Sequence, residues 1–304
     1  MNKNMKKGSI LVTVMIIIAA STTLALFIHE KTVNAYGTVI NLHNDYQGAI
    51  YAMTAIQALE MLFQYDEANY DGPKDLWMNI PSVPLDEKGF MTAYIKPLNA
   101  KIPMAAISSK NEDVRKRAEN ALDEILRTND ITEPNIYELL TWVGATDPTG
   151  ERFDENGAPY SMKSSQLQTL MELAFIPSFK DDYKKIIPFI SIAGDENKIN
   201  LNLASKEVIN AYVPELSPYV EDIISIRENE PFKDVSAIYN LMGSAMQEEY
   251  SKILPYIDVK SSLFYVKIEL NIGEDNLYYH LLVKRNGTSV STLKYIEGNN
   301  IDYF

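Results

Sequence analysis

The residues able to do chemistry are few and scattered. Histidine occurs only at 29, 43 and 280, and none has a partner at the spacing of a metal-ligand pair or of a serine nucleophile. Cysteine is absent, which removes thiolate metal sites, disulfide scaffolds and thiol nucleophiles. No glycine-rich phosphate loop occurs. Asp and Glu number 41 against 28 Lys and Arg, so a pair of carboxylates is uninformative about acid–base catalysis. The net charge of −13 also opposes binding to a phosphate backbone, which calls for a basic surface. These residues describe a non-enzyme without a cofactor, for which no nucleic-acid partner is expected.

The elements that would position any site begin with an asymmetric amino terminus. Lys3, Lys6 and Lys7 precede Ser9–Phe27, a run of 19 residues without a charge, and His29-Glu30-Lys31 follow it. As a helix the run spans about 28 Å, close to the roughly 30 Å hydrocarbon core of a bilayer. It exceeds the apolar region of about 7–15 residues found in secretory signal peptides, so a retained transmembrane helix over 9–27 is expected. The lysines on one flank place the amino terminus in the cytoplasm. The remaining chain is then expected to lie outside the inner face of that membrane.

The junction Lys6-Lys7-Gly8-Ser9-Ile10-Leu11-Val12 resembles the leader of prepilins and pseudopilins. The resemblance implies that prepilin peptidase removes 1–8 by cutting after Gly8, and that Ser9 becomes the N-methylated mature terminus. Glycine suits a position where a protease must approach an extended backbone. Losing three lysines leaves 25 cations against 41 acids, or −16. Most proteins with this leader carry Glu at the fifth mature position; Thr13 stands there. A carboxylate at that depth is costly unless paired. In type II secretion the subunit that usually lacks it is minor pseudopilin K.

Beyond the membrane, Val39, Leu42, Tyr46, Ile50, Met53, Ile56, Leu59 and Phe63 recur at steps of three and four, one face of a helix continuing over 28–65. Most of that stripe is expected to pack on the protein's own sheet, and Tyr70-Asp71-Gly72-Pro73 follows as a turn. Strands are expected at 90–96, near 101–104, and at 264–271, 277–284 and 289–295, with Asn286-Gly287 as a hairpin signal. Between them, 112–127 and 134–143 carry helical patterns. The expected fold class is α+β: a long N-terminal pilin helix, an antiparallel head of 66–104 and 258–304, and an inserted all-α domain over 105–257. A faint repeat relates 165–190 to 236–257, each copy two helices ending before Pro188 or Pro255.

Residues 198–235 resemble a helix-hairpin-helix module, through Ile199-Asn200-Leu201-Asn202, Ile223-Ile224-Ser225-Ile226-Arg227 and Pro231-Phe232. A DNA-binding hairpin offers glycine backbone N–H groups to phosphate. This chain has Pro214-Glu215-Leu216-Ser217-Pro218 instead, where Pro218 lacks a donor and Glu215 repels. The module reads as packing. Together with Leu139-Leu140-Thr141-Trp142 and Ser261-Ser262-Leu263-Phe264-Tyr265-Val266, it extends a likeness to the pseudopilin K family over nearly the whole chain.

That likeness implies a minor pseudopilin at the tip of a type II secretion pseudopilus, bound to minor pseudopilins I and J and to other pseudopilins. Some members of the family bind calcium near an acidic loop. Here Thr141 and Gly144 replace two of its acids, and Asp147, Asp154, Glu155 and Asn156 do not by themselves specify a site. The alternatives are a membrane-anchored helix-hairpin-helix DNA receptor of competence type and a minor pilin of a type IV pilus.

Overall fold

The computed structural model describes residues 3–66, 69–86, 89–131, 136–146, 162–179, 182–192, 197–273, 275–301 and 303–304; side chains are described from Val14 onward, except at Asp86. Packing divides the chain into Met1–Met53 and Thr54–Phe304. The division falls inside one continuous helix, α1 (Lys3–Tyr65).

In the first unit, α1 presents Val14–Phe27 exposed along its whole circumference. A helix is the form such a run must take in lipid, because each backbone group is then satisfied within the segment. Thr22 and Thr23 donate their hydroxyl protons to the carbonyls of Ile18 and Ala19 at 2.8 and 2.9 Å. These polar side chains therefore need no partner outside the helix.

The second unit is built on a five-stranded antiparallel sheet of order β1-β2-β7-β8-β9. Its strands are β1 (Val83–Asp86), β2 (Gly89–Pro97), β7 (Leu263–Ile272), β8 (Asp275–Asn286) and β9 (Ser289–Gly298). Strand β2 lies against β7 from Gly89↔Ile272 to Pro97↔Phe264, so two chain segments far apart in sequence close one sheet. Gly273 and Gly287 take φ of 63° and 62° in the two tight turns of the last three strands, a conformation that favours glycine. Strand β1 had no signal in the periodicity. It is short, carries Pro84 and bulges before Asp86, which suits only an edge.

The last turns of α1 bury Leu59 and Phe63 on this sheet. Phe63 and Trp77 both pack on Phe264, with ring centroids 4.7 and 5.2 Å away. Between β2 and β7 the chain forms β3 (Ile102–Pro103), α2 (Glu112–Thr128), α3 (Ile136–Trp142), α4 (Tyr183–Ile186), β4 (Ile190–Ser191) and β5 (Ile199–Asn200). It continues through α5 (Lys206–Tyr212), α6 (Val220–Asn229), α7 (Ser236–Met242), α8 (Gln247–Ile253) and β6 (Ile257–Asp258). Helix α2 starts where Asn111 Oδ1 accepts from the N–H groups of Asp113 and Val114 at 3.0 and 3.4 Å, an N-cap reinforced by Glu112 and Asp113 in the first turn. Its Val114, Ala118, Ala121, Leu122 and Ile125 enter a core shared with α5, α6 and α8.

The two repeat copies diverge in their first halves. Residues 236–242 form α7, but 165–171 are not the helix their pattern suggests; a 3-10 turn begins only at Leu170 and runs to Phe175. Their ends match more closely. After Pro188 and Pro255, Ile190 and Ile257 each enter a two-residue parallel pairing, β4 with β3 and β6 with β5.

The carboxyl end closes a second, smaller core. Phe304 is buried with Leu98, Leu263, Tyr265 and Leu282, and its ring meets Tyr265 edge-on at 5.8 Å. The Leu170 N–H donates to the Tyr303 carbonyl at 2.9 Å. His280 belongs to this fastening: Nε2 donates to the Asn299 carbonyl at 2.9 Å and Nδ1 accepts from the Tyr265 hydroxyl at 2.7 Å. Truncating Phe304 to alanine leaves a cavity and is expected to cost about 3–5 kcal/mol, read as a lowered urea midpoint for the full chain in detergent.

Candidate functional site

Gly8, Ser9 and Thr13 lie on the first turns of α1; their side chains are outside the described residues. Among the described residues one helix is long and apolar enough to cross a membrane, with none of its most apolar window buried. It suits a single-pass anchor.

Farther along the same helix, most of the apolar stripe is exposed, where burial was expected. Val39, Leu42, Tyr46 and Met53 are 64% to 68% exposed and Ile50 is 45% exposed. Only Ile56, Leu59 and Phe63 turn inward. Helix spacing alone could not reveal this, because an apolar face has the same period whatever covers it. A contiguous exposed apolar stripe of this length is uncommon on a monomeric soluble protein.

The second unit carries an apolar groove of its own. A five-stranded sheet is about 20 Å across, whereas a helix with its side chains is about 10 Å wide, so one helix covers only part of the face. Ala55, Leu59 and Leu62 of α1 form one wall, and Met91, Val266 and Ile268 line the sheet side. The groove has a volume of about 390 Å³, and no charged residue lines it among the described residues.

Where α1 ends, one guanidinium pairs with two of three clustered acids. Arg285 of β8 is 3% exposed and pairs with Asp66 at 2.9 Å and with Asp71 through its other terminal nitrogen. It also donates to the Ser261 carbonyl at 3.1 Å and lies over the rings of Phe63 and Phe264, 5.2 and 5.1 Å from their centroids. Trp77 Nε1 donates to Asp66 at 3.1 Å, Ser261 N–H to Asp71, and Gly72 N–H to Asp75 at 2.8 Å. Asp66, Asp71 and Asp75 are the described residues whose acidic atoms cluster within 4.8 Å, and the cation among them is Arg285. Burial raises the Asp71 carboxyl against the opposing pull of Arg285, and burial raises Asp75 to about 6.

This cluster continues into the 198–235 segment. Asn200 donates to Ser261 Oγ at 3.0 Å and accepts the Asn202 N–H at 2.9 Å. Asn202 in turn donates to the Phe232 carbonyl and accepts the Phe232 N–H, both at 2.9 Å. The two buried asparagines thus tie the loop before α5 to the loop after α6 and to the start of β7. Arg227 seals the same loop by donating to the carbonyls of Leu201 and Ala204, each at 2.6 Å.

The hairpin between α5 and α6 is a 3-10 turn over Pro214–Tyr219. Glu215 takes a two-pronged ion pair from Arg117 of α2, at 3.0 and 2.7 Å, while the guanidinium stacks on Tyr256. A cleft of about 490 Å³ opens beside this pair. Its remaining cations are answered locally, Lys116 by Glu112 at 2.7 Å and Lys252 by Glu248 at 2.8 Å.

Thr141 is buried and donates to the Tyr137 carbonyl at 2.8 Å. Gly144 has φ of 76°, and a Cβ there would lie 2.7 Å from the Ser164 carbonyl oxygen, so an acid at this position would be strained. Asp147, Asp154, Glu155 and Asn156 are outside the described residues.

No protein-family model matches the chain, and no curated protein matches it. A solved structure does: the chain is similar to one in the GspK-GspI-GspJ complex of the enterotoxigenic Escherichia coli type 2 secretion system, with a TM-score of 0.66 and 15% identity. The match covers 85% of this chain and 98% of that one. With its long apolar N-terminal helix and antiparallel sheet bracketing helical segments, the chain has an α+β fold shared with that chain of the complex.

Proposed function

We propose that the protein is a minor pseudopilin of a type II secretion system, a GspK-like tip or initiator subunit without catalytic activity. The observation that carries this reading is the fold shared over 98% of a chain from a GspK-GspI-GspJ complex. The exposed stripe on α1 and the uncharged groove support it, because both are surfaces that partner subunits would cover. The partners in this reading are minor pseudopilins of the I and J kind and further pseudopilins, with prepilin peptidase acting on the leader.

Processing would follow Gly8 and leave an N-methylated Ser9. Residues 9–27 would sit in inner-membrane lipid with the amino terminus cytoplasmic, and 28–304 would lie in the periplasm. Residues 66–104 and 258–304 would form the head and 105–257 its inserted helical domain. Within that domain the helix-hairpin-helix-like segment serves packing, since its hairpin acid is held by Arg117. Thr13 suits a first subunit, which has no earlier neighbour to pair a buried carboxylate.

The test is copurification of the full chain with I- and J-type pseudopilins encoded by the same genome. Wild type is expected to retain both. The double variant Tyr46→Glu, Ile50→Glu places two charges on the exposed stripe and is expected to reduce recovery at least tenfold, about 1.4 kcal/mol or more. Failure of the wild type to retain either partner would overturn the assignment.

A further inference from the structure

The charge balance where α1 ends is uneven. With all three acids ionised, the Asp66–Asp71–Asp75 cluster sets three negative charges around one guanidinium, two in excess, in a place largely withdrawn from water. Opposed charges at such distances interact strongly when water is excluded, and like charges do the same. The acids are not equally served. Asp66 receives Arg285 and Trp77, and Asp71 receives Arg285 and the Ser261 N–H. The hydrogen bond described at the Asp75 carboxylate comes from the Gly72 N–H.

Among the described residues, the cations on the segments around the cluster are engaged or directed elsewhere. Lys74 is exposed and donates to the Asn229 carbonyl at 3.3 Å. On the loop around Phe232, Glu230 and Lys233 pair with each other at 3.0 Å. On the approach to β7, Asp258 pairs with Lys198 at 3.7 Å and Lys260 is exposed. Lys284, the cation beside Arg285 on β8, points to the other face of the sheet.

We propose that this cluster is a proton-loading joint: on mild acidification Asp75 takes up one proton from solvent, which removes one excess charge and tightens the fastening of the end of α1 to the sheet. The direction of the pKa agrees. Burial first, then the neighbouring Asp66 and Asp71, outweigh the Gly72 N–H and Arg285 and carry Asp75 from 3.8 to about 6. A carboxyl raised in the folded state binds its proton more tightly there than in the unfolded chain. Its stabilising contribution is therefore full below the unfolded value and is lost as pH rises through about 6. The inference does not depend on the secretion assignment, since it concerns only the charges of this joint.

The test is urea unfolding of the full chain in detergent micelles, without divalent cations, at pH 7.5 and pH 5. The signal is tryptophan fluorescence, because buried Trp77 touches the cluster. In wild type relative to Asp75→Asn, the folding equilibrium constant is expected to rise about tenfold between the two pH values. Asparagine can still accept the Gly72 N–H, so the variant keeps the turn. Identical pH profiles for the two proteins would overturn the proposal. So would a gain that calcium reproduces at pH 7.5 in wild type alone, which would make the cluster a cation site instead. Should the variant not fold, proton uptake on refolding wild type at pH 6 decides: about half a proton or more supports the joint, and none overturns it.

Discussion

Replacing Arg285 with methionine is expected to destabilise the head by about 3–5 kcal/mol at pH 7.5, the range for removing one partner from a buried ion pair. Methionine fills much of the aliphatic volume but brings no charge. Asp66 and Asp71, 9% and 0% exposed in their side chains, would then remain buried with like-charged neighbours. The packing of the guanidinium on Phe63 and Phe264 would be lost with the pair. The loss should shrink at pH 5, because the Asp71 carboxyl, already raised by burial and raised further without its cation, takes up a proton in the folded state. Urea midpoints of the full chain in detergent at both pH values measure this. A variant as stable as wild type at pH 7.5 would show that the ion pair is dispensable.

Replacing Gly8 with leucine is expected to leave the chain unprocessed in a cell that carries prepilin peptidase. The larger side chain obstructs the close approach of the substrate backbone to the protease. The product would then keep Lys3, Lys6 and Lys7, with a formal charge of −13 rather than −16. Intact-mass analysis of the membrane fraction separates the two forms by the mass of residues 1–8, and the methyl group on Ser9 should be missing. Cleavage at the wild-type position would sink the leader assignment while leaving the fold untouched.

The local elements were legible wherever a short-range rule governs them. An uncharged run of 19 residues, an Asn-Gly turn and strands rich in β-branched and aromatic residues each announce their own conformation, and α1, β2, β7, β8 and β9 appear where those rules put them. Strand β1 was silent because its backbone is held by β2 and not by the preferences of Val-Pro-Leu-Asp. The helix suggested over 165–171 failed for the opposite reason. Its start is displaced to Leu170, whose N–H is taken by the Tyr303 carbonyl, a tertiary bond that no local pattern encodes.

The sequence by itself determined the membrane-length helix and the α+β class, and it supplied the Pro214-Glu215 turn between α5 and α6. All of these depend on residues near one another in the chain. Only the tertiary structure decided what covers each face. It left the stripe from Val39 to Met53 open, gave Glu215 to Arg117, made Asn200 and Asn202 a tie between loops, and set Arg285 among acids some 200 residues earlier in the chain. The physical reason is one of range. Helical period and turn chemistry act over a few residues, whereas burial and charge balance are properties of groups brought together only when distant segments close one sheet.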